Sequence, residues 1–485
     1  MFKSKSKGRY LYSTRRKKRR QKRSSFLLFL FSGLLGLFAL ELATRIFVDV
    51  RNNRAEQNQT NDDKSIIDSY RLKLLDYKEV KSAQEVSTNS ANEEAPAQEQ
   101  LLAQKALSVG YKLIPNQTSE YWQINDKGFR DRQPLPITKP ANEIRIFLLG
   151  SSTAFGYGSL SDQKTISELL ESRLNKRVNQ QKSSPELYRS EILPVNSVLN
   201  AKAQQKPAKI KSGNYRVINA AVPGYVSGNQ VAQLALEVMS YKPDILIVFN
   251  GYEDLMLSEN QKASQIPSEE SFLNTLGHLQ AFINKLLTPI EKHSYIVRWL
   301  QKKVVKPNDI ARETIDITSK TGQELADLAP QDPESLQLRI NRYFHNHQQI
   351  ANLSAGSNTG VLFVTQPEIT GRNPAKLTPT EGEITTQMGR KYIQVVKDNY
   401  PRFAGANRHL AKLFPHVKDL NLYKIDDQYP SPSFIDAIHL TESANAMVAE
   451  QIYQQVSGLN QIKSAPPQVL PNKDSRKTQP QSQTR

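Results

Sequence analysis

Hydrophobic positions are distributed very unevenly along the 485 residues. Ser24–Leu40 (SSFLLFLFSGLLGLFAL) carries no charge. As a helix it rises about 26 Å, close to the roughly 30 Å of a bilayer's hydrocarbon core. Leu42, Ala43, Ile46, Phe47 and Val48 prolong its apolar surface. Residues 45–104 then turn polar, with helical spacing around Ile66–Val80, and read as a stalk or linker. Beyond residue 105 short apolar runs alternate with amphipathic ones. Strands are predicted at Ile144–Leu149, Tyr215–Asn219, Asp244–Phe249, Gly360–Thr365 and Leu422–Ile425. Helices are predicted at Thr165–Leu174, Asn229–Ser240, Leu336–Leu353, Tyr392–Phe414 and Thr441–Val456. Strand–helix alternation of this kind demands right-handed crossovers between parallel strands. The predicted fold is therefore α/β: a flavodoxin-like three-layer α/β/α domain over residues 105–460, with a mostly parallel five-stranded sheet. Its site should lie at the carboxyl ends of the strands.

Two polar stretches interrupt the rhythm and are too long for ordinary connections: residues 176–213 and residues 256–333. Both read as insertions. The second contains a helical region, Phe272–Val305, placed to cap the site. Residues 461–485, rich in Pro, Gln, Ser and Lys, read as a disordered tail.

Charge changes the picture at one end only. The net charge of +18 suggests a nucleic-acid partner until it is localised. Residues 1–23 hold twelve Lys/Arg and no acid, leaving 53 basic against 47 acidic residues elsewhere. A basic tail in front of an apolar helix is the mark of an uncleaved signal anchor. A cleaved signal peptide is the rival, but ELATRIF after Leu40 offers no small-x-small site. The expected topology is single-pass: residues 1–23 cytoplasmic, residues 24–44 in membrane lipid, and the α/β domain extracytoplasmic, in a periplasm or at the cell surface. No nucleic-acid partner is expected. The absence of cysteine excludes disulfides and thiol catalysis.

Candidate chemistry lies at the strand ends. The first predicted strand stops in Leu148-Leu149-Gly150-Ser151-Ser152-Thr153, a turn that lifts a hydroxyl to the sheet's edge. A Gly/Ser turn ahead of a helix also suits a phosphate, but neither G-x-x-x-x-G-K-[ST] nor G-x-G-x-x-G is present. Near the C-terminus Asp436 and His439 lie three apart, directly before a helix. A carboxylate one turn upstream can hold a catalytic imidazole. The other histidines form no H-E-x-x-H or similar metal arrangement, so no metal ligand is assigned. Ala220–Tyr225 and Asn250–Asp254 follow the second and third strands, where donors to an oxyanion belong.

Together these blocks resemble the SGNH (GDSL-like) hydrolase family, over roughly residues 105–460. Gly150–Gly156 (GSSTAFG) is similar to the family's first block, with Ser152 at the serine of GDS. Asn219–Gly224 (NAAVPG) is similar to the second, with Gly224 at its glycine. Gly251–Asp254 (GYED) is similar to the third, G-x-N-D, and Asp436–His439 (DAIH) matches D-x-x-H. The anchor and the GFRD segment at 128–131 resemble the family's membrane-anchored envelope members.

The resemblance implies a serine esterase acting on O-acyl, often acetyl, groups of an envelope glycan or lipid. Ser152 would be the nucleophile, with His439 and Asp436 completing the triad. The Ser152 and Gly224 amides would bind the oxyanion, and no metal or organic cofactor is needed. The same residues would serve an O-acyltransferase, and a degenerate member would only bind glycan or scaffold. Three positions depart from the pattern. Ala444 stands where a glycine is usual after D-x-x-H, and is tolerable inside a helix. Ser151 stands where the family has aspartate, and competes as a nucleophile. Glu253 stands where the family has the asparagine that donates to the oxyanion. An ionised glutamate only accepts hydrogen bonds and would repel the oxyanion. Either Glu253 is protonated, or Asn250 or a backbone amide replaces it, or catalysis is weakened.

Overall fold

The computed structural model describes residues 69–75, 100–106, 109–190, 192–194, 196–258, 321–424, 429, 431–464 and 468–469. The basic tail, the expected anchor at 24–44 and most of the expected cap (259–320) lie outside the described residues. Among the described residues no helix is long and apolar enough to cross a membrane.

The chain first builds a small sheet from β1 (Leu72–Leu75), β2 (Leu101–Ala106) and β3 (Gly110–Leu113), in that order. This corrects two expectations. Leu72–Leu75 is extended and not helical, and part of the expected stalk is folded. Tyr70 explains why: its ring is buried, and its hydroxyl donates to the Ser159 carbonyl at 2.5 Å. Trp122 Nε1 fastens Ser69 in the same way, at 3.1 Å to its carbonyl. A two-residue hairpin, β4 (Gln117–Thr118) with β5 (Gln123–Ile124), leads into the main sheet.

That sheet opens with β6 (Glu143–Gly150), followed by the single-turn helix α1 (Ser152–Phe155) and α2 (Ile166–Ser183). The α2 helix starts where Thr165 caps the Glu168 amide. It runs well beyond the expected Leu174, so the insertion at 176 begins inside a helix. The insertion continues through β7 (Ile192–Leu193) and α3 (Ser197–Gln205). Then come β8 (Asn214–Asn219), α4 (Ser227–Leu236), β9 (Ile245–Asn250) and the short α5 (Tyr252–Met256). After the undescribed segment the chain resumes with α6 (Gly322–Leu328), α7 (Pro333–Ala355) and β10 (Gly360–Thr365). α8 (Pro379–Asn399), α9 (Pro401–Leu413), β11 (Val417–Asn421) and α10 (Glu442–Val456) complete the domain. Beyond it, β12 (Gln468–Val469) pairs in parallel with β7.

The main sheet has the order β11-β10-β9-β6-β8, and every pair is parallel. Alternate residues of each strand enter two separate cores. Ile146, Leu148, Ile247 and Val364 face α2 and α10. Phe147, Leu149, Val248 and Phe363 face α4, α7 and α9. This two-sided burial is why the strands read as continuous apolar runs. The domain is thus the expected three-layer α/β/α sandwich around five parallel strands.

The fifth strand lies at Val417–Asn421 and not at Leu422–Ile425. It is an edge strand, half-buried, so Lys418 and Asp419 are tolerated and the apolar signal is weak. The expected helix at Tyr392–Phe414 is two helices. Pro401 cannot donate a backbone hydrogen bond, and the chain restarts there.

Candidate active site

β6 ends in Gly150, and no other residue fits. A Cβ there would lie 2.4 Å from the Ala154 Cβ and 2.5 Å from the Phe249 carbonyl oxygen. This close approach lets the chain turn at once from β6 into α1, which places Ser151 and Ser152 at the carboxyl edge of the sheet. The far end of α1 is held by two buried donors. Asn219 Nδ2 reaches the Ala154 and Phe155 carbonyls at 3.1 Å. Arg130 Nη1 reaches the Phe155 and Gly156 carbonyls at 3.0 Å. Arg130 is the arginine of the GFRD segment, and its Nε pairs with Asp162 at 2.8 Å. A cation suits the carboxyl end of a helical turn.

The loop before α10 brings in the other two groups. His439 Nε2 lies 2.8 Å from Ser152 Oγ, and His439 Nδ1 lies 2.6 Å from Asp436 Oδ2. With Asp436 accepting at Nδ1, that nitrogen carries the proton and Nε2 is left to accept from the serine hydroxyl. Asp436 Oδ1 accepts from the amides of Ile438 (3.0 Å) and His439 (2.8 Å). Burial alone would raise the Asp436 pKa. The charge of His439, its ring N–H and these two amides outweigh burial and hold the carboxyl below its ordinary value. The Tyr157 ring stacks on the imidazole, with centroids 4.3 Å apart and planes 17° from parallel. Thr153 Oγ1 ties α1 to the same loop through the Ile438 carbonyl, at 3.3 Å. Ser152 is 7% exposed and His439 2%, so the reacting atoms are nearly covered.

Of the two serines, only Ser152 faces the imidazole. Ser151 is fully buried, and its Oγ accepts from the Gly224 amide at 3.0 Å. Gly224 therefore reaches the site, on a turn whose φ of 84° favours glycine.

Asn250 does not reach the site, which corrects its candidacy as a substitute oxyanion donor. Its Nδ2 is spent on Gln230 Oε1 (2.5 Å) and His347 Nε2 (3.0 Å), and its Oδ1 accepts from Tyr343 at 2.9 Å. His347 is buried there, and burial pushes its pKa down to about 3, so it is the neutral partner that this network needs.

Glu253, in the first turn of α5, is also fully buried, yet both of its carboxyl oxygens lack a hydrogen-bond partner. Burial drives its pKa up to about 7. Its own amide and the nearby Ser151 hydroxyl draw it partly back, Asp254 raises it, and His439 lowers it. A second buried carboxyl, Glu368, follows β10. Burial likewise pushes it up to about 7, against donors from Thr370 and Tyr392. Sequence reasoning missed Glu368, Tyr392 and Tyr157. Only Tyr157 carried a signal, lying between Gly156 and Gly158 at the end of the first block.

A family model of GDSL-like Lipase/Acylhydrolase matches residues 146–452. That span starts within β6, ends within α10 and contains Ser152, Gly224, Glu253, Asp436 and His439. Among solved structures, the lipase/acylhydrolase from Enterococcus faecalis is similar at 13% identity and a TM-score of 0.32, over 67% of this chain and 100% of that one. The acetyl xylan esterase AlAXEase is similar at 13% identity and a TM-score of 0.30, over 64% and 100%. TesA is similar at 11% identity and a TM-score of 0.27, over 64% and 97%. No curated protein matches the chain. With the family match covering well over half of its length, the chain belongs to the GDSL-like lipase/acylhydrolase family and is a hydrolase acting on ester bonds.

Proposed function

We propose that this chain is a membrane-anchored, extracytoplasmic serine esterase that removes O-acyl groups, acetyl above all, from an envelope glycan or lipid. The unbroken line from Asp436 through His439 to Ser152 carries this reading. The Ser152 hydroxyl attacks the acyl carbonyl carbon while His439 Nε2 takes its proton. Asp436 keeps the imidazole in the productive tautomer and stabilises the imidazolium. The amides of Ser152 and Gly224 receive the negative oxygen of the tetrahedral adduct. His439 returns the proton to the departing alcohol, leaving an acyl-serine. Water, deprotonated by the same nitrogen, then releases the acid. The reaction needs no group beyond the chain's own residues.

The near-complete cover over Ser152 and His439 supports a small acyl group, since a long chain would need a channel to the serine. The basic tail and apolar segment ahead of residue 45 support an anchor, and hence an envelope substrate.

The test is turnover of 4-nitrophenyl acetate, and release of acetate from acetylated glycans, by the full-length chain. Ser152→Ala should lower kcat by roughly five to six powers of ten, the cost of removing a triad nucleophile. Retained turnover in that variant would overturn the assignment. An added acceptor sugar separates hydrolysis from transfer: acetylated acceptor in place of free acetate would convert the reading to an acyltransferase.

A further inference from the structure

Among the described residues, Glu253 is a buried carboxyl that feels the charge of His439 and that the mechanism above does not use. It is fully buried, both of its oxygens are unpartnered, and it lies against Ser151. Ser151 is the residue before the nucleophile, and its Oγ holds the Gly224 amide at 3.0 Å. The carboxyl lies beside the Ser151 hydroxyl without a hydrogen bond between them, and that hydroxyl holds the Gly224 amide, a group assigned to the oxyanion. Two of the departures from the family's pattern, at 151 and 253, are neighbours in space.

We propose that Glu253 is a proton gate on the oxyanion position: neutral, it leaves the Gly224 amide available to the oxyanion; ionised, it locks that amide onto Ser151 and opposes the oxyanion's charge. The proposal rests on Ser152 being the nucleophile.

The gate follows from the direction of the hydrogen bonds. An ionised Glu253 can only accept, so the Ser151 hydroxyl donates to it. A charge-assisted bond of this kind makes Ser151 Oγ a stronger acceptor for the Gly224 amide. The carboxylate also adds a negative charge, in a dry environment, near the place where a second one must form. A neutral Glu253 can donate instead. The Ser151 Oγ then accepts from the carboxyl, its hold on the amide weakens, and the repulsion disappears. The proton leaves to solvent as pH rises.

The surroundings favour the neutral form. Burial dominates, and Asp254 on the same turn opposes ionisation, while the charge of His439 favours it. Arg342 faces Asp254 and lowers the latter's pKa in part. The other groups packed around Glu253 are the phenols of Tyr252, Tyr343 and Tyr400, all held neutral by burial. Glu253 acts through Ser151 and through its charge, and is a positioning residue.

The experiment is the pH profile of kcat/KM on 4-nitrophenyl acetate, using the full-length chain with Ser152→Ala as the blank. Wild type should fall as pH rises through neutrality, with a midpoint near pH 7. Glu253→Gln should lose the falling limb and exceed wild type about tenfold or more at about pH 9, two units beyond the titration. Ser151→Ala removes a hydroxyl that favours the ionised form, so its falling limb should move to higher pH. An unchanged falling limb in Glu253→Gln would overturn the proposal. A carbon-13 titration of the Glu253 carboxyl in Ser152→Ala gives an answer without turnover. A carboxyl already ionised at about pH 5 overturns the gate, and one that titrates near neutrality supports it. If Ser152→Ala stays active, the nucleophile reading fails and the titration still reports on Glu253.

Discussion

Two carboxyls stand near His439 and are held on opposite sides of neutrality. Asp436, on the loop before α10, receives two backbone amides and the ring N–H and is kept ionised. Glu253, at the start of α5, receives nothing in hydrogen-bonding geometry and is pushed towards its neutral form. Both belong to the same active site, so the difference lies in donors supplied by the backbone. A loop that turns three residues back on itself presents amides to Asp436. The helical turn that carries Glu253 offers it only its own amide, out of hydrogen-bonding geometry. Environments that drive two acids apart in this way assign them separate roles: one stabilises positive charge on His439, and the other must carry no charge where negative charge develops.

The largest effect that can break this contrast is at Asp436. Asp436→Asn should keep the loop but offer the wrong partner to Nδ1, lowering kcat about 10⁴-fold. Glu253→Gln, an equally conservative change, should cost far less at pH 6 and gain activity at high pH. Equal losses in the two variants, measured side by side over the same pH range, would show that the two carboxyls do the same work.

Much of this was legible in the sequence. The four strongest strands announced themselves because both faces are buried, the blocks carrying Ser152 and Gly224 could be placed at strand ends from their turns, and Asp436 and His439 directly before a helix. What escaped had physical reasons. β11 is an edge strand whose Lys418 and Asp419 hide its periodicity. β1 and β2 lie in polar sequence and join the fold through Tyr70 and Trp122, contacts between residues far apart in the chain. Asn250 and Glu253 look alike in sequence as polar residues at the end of β9 and just beyond it. Only packing against Gln230, Tyr343 and His347 shows that one is engaged and the other is not.

Asn250 gives the next prediction. Asn250→Ala would leave the Tyr343 hydroxyl with its Asn407 donor but without an acceptor, and remove the donor to Gln230 and His347, at a cost of about 2–3 kcal/mol for buried groups left unpaired. The urea midpoint should fall, while kcat of the folded protein changes less than about tenfold. A loss of two to three powers of ten in kcat, the signature of a missing oxyanion donor, would put Asn250 back in the site.

The smallest effect separates Glu253 from the other buried glutamate. Glu368 has a pKa as high as that of Glu253, and it too sits beyond a strand end. It accepts from the Thr370 amide at 2.9 Å, from the Thr370 hydroxyl, and from Tyr392 at 2.9 Å. Donors of this kind favour the ionised form, so removing one raises the pKa further. Both carboxyls bind protons more tightly folded than unfolded. Each therefore takes stability away as pH rises from the unfolded value, about 4.5, to about 7, and nothing more is lost above that. Tyr392→Phe removes one donor to Glu368. It should lower stability by about 1 kcal/mol and stretch the pH-dependent loss to higher pH, as read from urea midpoints between about pH 5 and 9. The falling limb of kcat/KM should stay in place, because Glu253 sets it. If Tyr392→Phe moves that limb upward, the titration belongs to Glu368, and the contrast between a partnered and an unpartnered carboxyl loses its functional meaning.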